Sequence, residues 1–140
     1  MATILIADDD HDVRDLARRA MEAAGHDVVI ATDGAEALAR AGAADLALLD
    51  VSMPALDGWR VAAELRGAPH TRDLPIVVVS AMSTSSEIES ALDAGADGYL
   101  TKPFVPFELL RRVEHLLAVT PAERRRARGR ESVRRARRTA

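Results

Sequence analysis

Residues able to do chemistry stand directly after short apolar runs in this sequence: Asp8-Asp9-Asp10, Asp50, Ser80 and Thr101-Lys102. Carboxylates brought together at Asp8, Asp9 and Asp50 would repel one another, so a fold that gathers them must gain something in return. A bound divalent cation is the natural gain. Magnesium takes a few carboxylates, keeps several waters and neutralises phosphate oxygens. An ionised carboxylate can also act as a nucleophile and form an aspartyl phosphate. Lys102 offers a compact positive charge and Ser80 a hydroxyl donor, both suited to the charge on a transferring phosphoryl group. Lys102 is moreover the only lysine among 19 basic residues. In a chain that otherwise uses arginine, a point charge on a flexible stem is wanted at that place.

Alternating strands and helices must position these groups. Ile4-Leu5-Ile6-Ala7, Val28 to Ala31, Leu46-Ala47-Leu48-Leu49, Ile76-Val77-Val78-Val79 and Tyr99-Leu100-Thr101 read as five strands by length and residue type. Between them run helical patterns. Val13, Leu16, Ala17, Ala20, Met21 and Ala24 follow the i, i+3, i+4, i+7 rule up to Gly25. Ala35, Ala37, Leu38 and Ala41 sit on a short helix closed by Gly42, and Trp59, Ala62 and Leu65 share one side of a third. Thr84-Ser85-Ser86-Glu87 is a capping-box pattern that starts a fourth helix, stopped at Gly95. Pro106 opens a fifth, with Leu109, Leu110, Val113, Leu116 and Leu117. Strands apolar throughout and separated by helices predict an α/β fold: a parallel sheet covered on both faces and doubly wound. Ligands of such sheets bind at the carboxyl ends of the strands, where the acids, Ser80 and Lys102 lie.

Composition sets bounds on function. The chain has 140 residues, 48% of them apolar, enough for one domain with a real core. It lacks cysteine, which excludes a disulfide framework and any thiolate zinc site. No apolar run reaches the roughly 18 residues of a membrane span, and no leader pattern opens the chain, so a cytoplasmic protein is expected. Charge is divided unevenly. Residues 1–120 carry 10 of the 19 basic groups and 20 of the 22 acids, a net of −10, whereas residues 121–140 carry the other 9 basic groups and 2 acids, a net of +7. The first part repels nucleic acid and attracts cations; the tail does the reverse.

Each of these residues also has a plainer use. Asp8 to Asp12 could be the acidic start of a helix, and Ser80 a helix cap. Asp50 to Gly58 could be an ordinary turn-rich loop, and Tyr99 half-buried packing. His11, His26, His70 and His115 show no ligand spacing and read as surface or packing residues. Asp8, Asp10 and Asp12 mimic the opening of a calcium-binding EF-hand loop. That pattern fails, because Val13 replaces its glycine and Arg19 its glutamate.

Taken together, the strand-end residues resemble the receiver domain of two-component response regulators, in the manner of the chemotaxis regulators. The resemblance covers about residues 2–119. Asp8-Asp9 is similar to the family's acidic pair, and Asp50 with Met53-Pro54 and Asp57-Gly58 to its phosphorylated aspartate and following loop. Ser80-Ala81 matches the hydroxyl switch position, Tyr99 the aromatic one, and Lys102-Pro103-Phe104 the family's lysine with a usually cis proline after it. The resemblance implies a flavodoxin-like (βα)5 fold with strand order 2-1-3-4-5. It implies that Asp50 is the phosphoacceptor and that Asp8, Asp9, Asp50 and the backbone carbonyl of Ser52 hold Mg2+. Ser80 and Lys102 are then implied to bind phosphate oxygens, and Ser80 and Tyr99 to form the switch that reaches the surface of helix four, strand five and helix five. The implied donor is a sensor histidine kinase or a phosphotransfer protein, with a downstream protein partner the sequence does not name. Two departures stand out: Ser rather than Thr at position 80, and Gly98 where dimerising DNA-binding regulators often carry a second acid beside Asp97.

A haloacid-dehalogenase-type phosphatase is the competing expectation, because Asp8-x-Asp10 fits its opening motif. Its cost is that the Met-Pro-x-x-Asp-Gly loop would have no role. The chain is expected to divide into a receiver at 1–119 and an arginine-rich tail at 120–140, a helical extension or linker. Thr120-Pro121-Ala122-Glu123 reads as a helix start, but Ala122, Ala127, Val133 and Ala136 make no apolar stripe. Such a helix needs something to pack or pair with: an acidic partner, nucleic acid or the receiver's own acids. A stand-alone regulator is favoured over a receiver cut from a larger DNA-binding or enzymatic one.

Overall fold

The computed structural model describes residues 1–53, 57–81 and 85–139, with the backbone alone at 85, 87, 88 and 131–139. Pro54 of the Met-Pro loop and Thr84 of the capping-box pattern lie outside the described residues. Five strands run β1 (Thr3–Ala7), β2 (Asp27–Ala31), β3 (Leu46–Asp50), β4 (Ile76–Ser80) and β5 (Gly98–Thr101). They pair in parallel in the order β2-β1-β3-β4-β5, as expected. The helices are α1 (His11–Ala23), α2 (Gly34–Arg40), α3 (Gly58–Gly67), α4 (Ser85–Asp93), α5 (Pro106–Ala118) and α6 (Pro121–Thr139).

Strand alternation splits the core into two layers. Leu5, Ala47, Leu49, Ile76 and Val78 face one side, with Val61, Leu65 and Ala91 packed on them. Ile4, Ile6, Leu48, Val77 and Val79 face the other, under Met21, Leu109 and Val113. All five residues of β3 and of β4 are buried, which is why they read as continuous apolar runs. β2 is an edge strand and only partly buried. The acids that open helices are caps: Asp10 accepts from the N–H groups of Asp12 and Val13, Asp33 from Glu36 and Asp57 from Arg60. Gly25 and Gly95 stop α1 and α4 at φ of 91° and 100°, where a side chain would be strained.

Three local expectations need correction. Leu16 is 40% exposed, because α1 turns Val13, Ala17 and Met21 to the sheet and leaves Leu16 at the edge of that stripe. The second helix ends at Arg40 and tightens into a 3-10 turn over Ala41–Ala43, with Ala44 N–H donating to Ala41 O. His26 is more than surface or packing. It is buried, its Nδ1 accepting the Ala2 N–H at 3.1 Å while Nε2 lies 3.0 Å from Glu114 Oε1.

α5 ends at Ala118, and a capping box starts the next helix: Glu123 N–H donates to Thr120 Oγ1 at 3.1 Å, and the Thr120 hydroxyl donates to Glu123 Oε1 at 3.0 Å. The first turns of α6 rest on the domain. Arg124 is 7% exposed and gives its guanidinium to the carbonyls of Leu116, Val119 and Asp73. Arg125 pairs with Asp73 at 2.7 Å, and Arg128 pairs with Asp97. These contacts supply the pairing that a helix without an apolar stripe needs.

Candidate functional site

β1 and β3 are neighbours in the sheet, and their crossovers leave in opposite directions, so a crevice opens at their carboxyl ends. Asp50 is the last residue of β3 and Asp8 the first after β1. Both are nearly buried, at 4% and 3% exposure, above an apolar floor that includes Val13, Ala17 and Phe104. Asp9 is exposed at the rim. One oxygen from each of Asp8, Asp9 and Asp50 lies within 4.8 Å of the other two. Lys102 comes across from the far side of β4. Its N–H donates to Ser80 O at 2.7 Å, and its Nζ stands 2.9 Å from Asp8 Oδ2 and 3.2 Å from Asp50 Oδ1. The Lys102–Pro103 peptide bond is cis.

The electrostatics are those of too many acids for one lysine. Burial first, and then the charge of Asp8, push the Asp50 carboxyl up to about 6, while Lys102 and the Ser52 N–H pull against this. Burial acts to lower the Lys102 pKa, but the hydrogen bond and charge of Asp8, and then Asp50, outweigh it and the net shift is upward. A hard cation would relieve the remaining repulsion, and carboxylate oxygens at an open rim suit magnesium, which keeps part of its water. Asp9→Ala is expected to weaken magnesium binding roughly tenfold or more, since the ion loses a carboxylate. Titration with magnesium, read by the fluorescence of Trp59, checks this; an affinity within twofold of the parent counts against Asp9 as a ligand.

The expected residues Asp8, Asp9, Asp50 and Lys102 therefore meet at one place. Ser80 ends β4, buried at 3% exposure. Tyr99 lies half-buried on the layer that holds Val78. One residue that the sequence did not mark, Arg14, shapes the site beside the marked Asp10 and Gly58. Arg14 Nη1 donates to Asp8 O at 2.9 Å, and Asp10 N–H to Asp8 Oδ1 at 2.9 Å, so the β1–α1 loop is fixed from two sides. Gly58 is more than a turn residue. A Cβ there would stand 2.5 Å from the Asp50 carbonyl oxygen, so only glycine lets α3 start against that strand end.

The fold and site define a class: a doubly wound α/β domain whose strand ends gather buried acids under one lysine. Residues 4–114 match the family described as response regulator receiver domain, and the chain belongs to that family. This sets aside the phosphatase expectation. The response regulator MprA of Mycobacterium tuberculosis is 47% identical over 122 residues, covering 86% of this chain and 52% of MprA. The chain thus spans about half the length of the curated relatives it matches. Among solved structures, the chemotaxis response regulator CheY4 of Vibrio cholerae superposes with a TM-score of 0.78 at 30% identity, over 83% of this chain and 98% of that one. The receiver domain of sensor histidine kinase PA1611 from Pseudomonas aeruginosa PAO1, solved with a magnesium ion coordinated in its active site cleft, gives 0.79 at 28% identity. That match covers 84% of this chain and 98% of the PA1611 domain. Among the described residues, no helix is long and apolar enough to cross a membrane.

Proposed function

We propose that this chain is the phosphoacceptor switch of a two-component phosphorelay in the cytoplasm, charged on Asp50 by a sensor histidine kinase, a phosphotransfer protein or a small phosphodonor. The observation that carries this reading is Lys102 Nζ seated between the buried carboxylates of Asp8 and Asp50. An Asp50 carboxylate oxygen attacks the phosphorus of a phosphoimidazole. The P–N bond breaks, its electron pair stays on the ring nitrogen, and that nitrogen takes up a proton as histidine is regenerated. Lys102 then neutralises a phosphoryl oxygen and the Ser80 hydroxyl donates to another. Asp8, Asp9, Asp50 and the Ser52 carbonyl would hold a magnesium ion, which would supply further positive charge for the same oxygens. The chemistry is confined to the chain's own phosphorylation and dephosphorylation. Trapping of the phosphoryl group on Asp50 is the direct test.

Strand register supports reading Ser80 and Tyr99 as the switch. Val78 pairs with Tyr99 and Ser80 with Thr101, so Ser80 and Tyr99 project on the same sheet face one step apart. A phosphoryl group brings up to about two negative charges and can draw the Ser80 hydroxyl toward it. That shift would favour a different packing of Tyr99 and so of the α4–β5–α5 surface. Ser80→Ala is expected to lower phosphate-dependent partner binding about tenfold or more while leaving Asp50 modifiable. Pull-down before and after phosphorylation measures it, and unchanged binding removes Ser80 from the switch.

The proposed division is a receiver at 1–119 with α6 as an appended element. A chain ending at residue 120 is expected to fold and accept phosphate, because the five strands and the residues of the acidic site all lie before it. Its loss of stability should stay near 1–2 kcal/mol, the scale of a few exchanged hydrogen bonds and partly exposed ion pairs. Failure of the truncated chain to fold, judged by circular dichroism, would place α6 inside the receiver. We favour a stand-alone regulator that acts on a protein partner, with the tail a second contact surface, nucleic acid included. The greater length of MprA favours the other reading, a receiver joined to a DNA-binding or enzymatic domain. The mass of the native product in cell extract distinguishes the two.

A further inference from the structure

We propose that the cleft between α5 and α6 binds a small phosphorylated ligand of nucleotide size, at a place separate from the acidic site. The cleft encloses about 580 Å³, within the roughly 300–1,000 Å³ usual for small-molecule sites. Leu92, Leu116 and Val119 give it an apolar wall, while Arg112, His115 and Arg130 line it with cationic or protonatable groups. It lies at the amino edge of the sheet, since Asp97 precedes β5 and Val119 follows α5. A ligand there would not touch Asp50.

Charge in the cleft is unbalanced. Among the described residues, two acids line it, and both are already engaged. Asp97 takes Arg66 and Arg128 together, one negative charge against two positive ones. Glu123 completes the capping box with Thr120. Among the described residues, no acid stands within ion-pairing distance of Arg112, His115 or Arg130. The crowding is felt locally. Arg66 is pushed down to about 10, by burial first, with Arg128 and Arg124 adding to it against the pull of Asp97. Arg124 is lowered as well, again by burial first, with Arg128 and Arg125 contributing.

A single carboxylate would answer one of these cations. Cations from two helices fit an anion with several oxygens, and the planar guanidinium fork matches phosphate better than any other common group. The apolar wall is unnecessary for free phosphate but suits the flat face of a base. Both features together select a nucleotide over an inorganic anion.

The test is calorimetric titration of the full chain with ADP and with inorganic pyrophosphate, in EDTA so that no metal recruits either to the acidic site. Saturable one-to-one binding of ADP is expected, about tenfold tighter than pyrophosphate. Arg112→Ala and Arg130→Ala should each weaken it about tenfold, the scale of one charged hydrogen bond. Arg126→Ala, an exposed residue of the same helix outside the cleft, should change it less than twofold. Equal affinity for ADP and pyrophosphate, or equal losses in Arg112→Ala and Arg126→Ala, would overturn the proposal in favour of general attraction to the basic tail. So would binding of a random DNA duplex in place of ADP.

Discussion

Asp50→Asn is expected to abolish the covalent phosphate and, at the same time, to make the magnesium-free protein more stable. The first effect follows from chemistry: an amide has no anionic oxygen to attack phosphorus, and Asp8 and Asp9 remain in the mutant to show whether they can substitute. Incubation with magnesium and a small phosphodonor, read by intact mass, should show one added phosphoryl group on the parent and none on the variant. An adduct that survives the change would disprove the assignment. The second effect follows from repulsion. A carboxyl that titrates near 6 instead of 3.8 costs the folded state up to about 3 kcal/mol when it is ionised at pH 7. Lys102 loses one partner in the variant but keeps Asp8 at 2.9 Å, so a net gain of about 1–3 kcal/mol is expected.

The pH dependence has a defined sign. Because the folded chain holds the Asp50 proton more tightly than the unfolded chain does, this group favours folding most below about 4. That contribution is lost as pH rises through about 6. Denaturation in EDTA should therefore show parent and variant diverging across this window, with the parent the weaker at pH 7. Magnesium should close the gap by stabilising the parent more. Coincident curves at all pH values would mean that the site carries no such strain.

Residues 4–7, 46–49 and 76–79 were legible as strands because a parallel sheet buries both faces, which leaves uninterrupted apolar runs. The site was legible for a related reason. Strand ends gather whatever follows each run, so Asp8, Asp50, Ser80 and Lys102 could be placed together without knowing a single distance. Lys102 stood out further because every other basic residue is arginine. That same excess hid the rest. With 18 arginines in the chain, nothing local distinguishes Arg66, Arg124 or Arg128 from those in solvent. Their partners are the Asp97 carboxylate, 31 residues from both Arg66 and Arg128, and the Asp73 carbonyl, 51 residues from Arg124. His26 and Glu114, 88 residues apart, were equally invisible. Periodicity reports which face a residue occupies, not which distant charge it will meet.

The Asp97 cluster shows how unequal such hidden contacts are. Asp97→Ala is expected to destabilise the domain by about 3 kcal/mol, whereas Arg128→Ala should cost no more than about 1 kcal/mol. The Asp97 side chain is 3% exposed, and its two oxygens serve three donors: Arg66 at 2.6 Å, the Ile76 N–H at 3.0 Å and Arg128. Its removal leaves two guanidinium groups facing each other and the first N–H of β4 without its acceptor. Arg66, at 14% exposure, cannot turn into water without giving up the carbonyls of Gly95, Arg72 and Leu74. Removing Arg128 instead leaves Asp97 paired with Arg66, and the like-charge repulsion between the arginines disappears with it. Urea denaturation of both variants separates the two cases. A loss below 1 kcal/mol for Asp97→Ala would mean that the arginines find other partners, and a loss for Arg128→Ala as large as that for Asp97→Ala would make α6 an integral part of the domain.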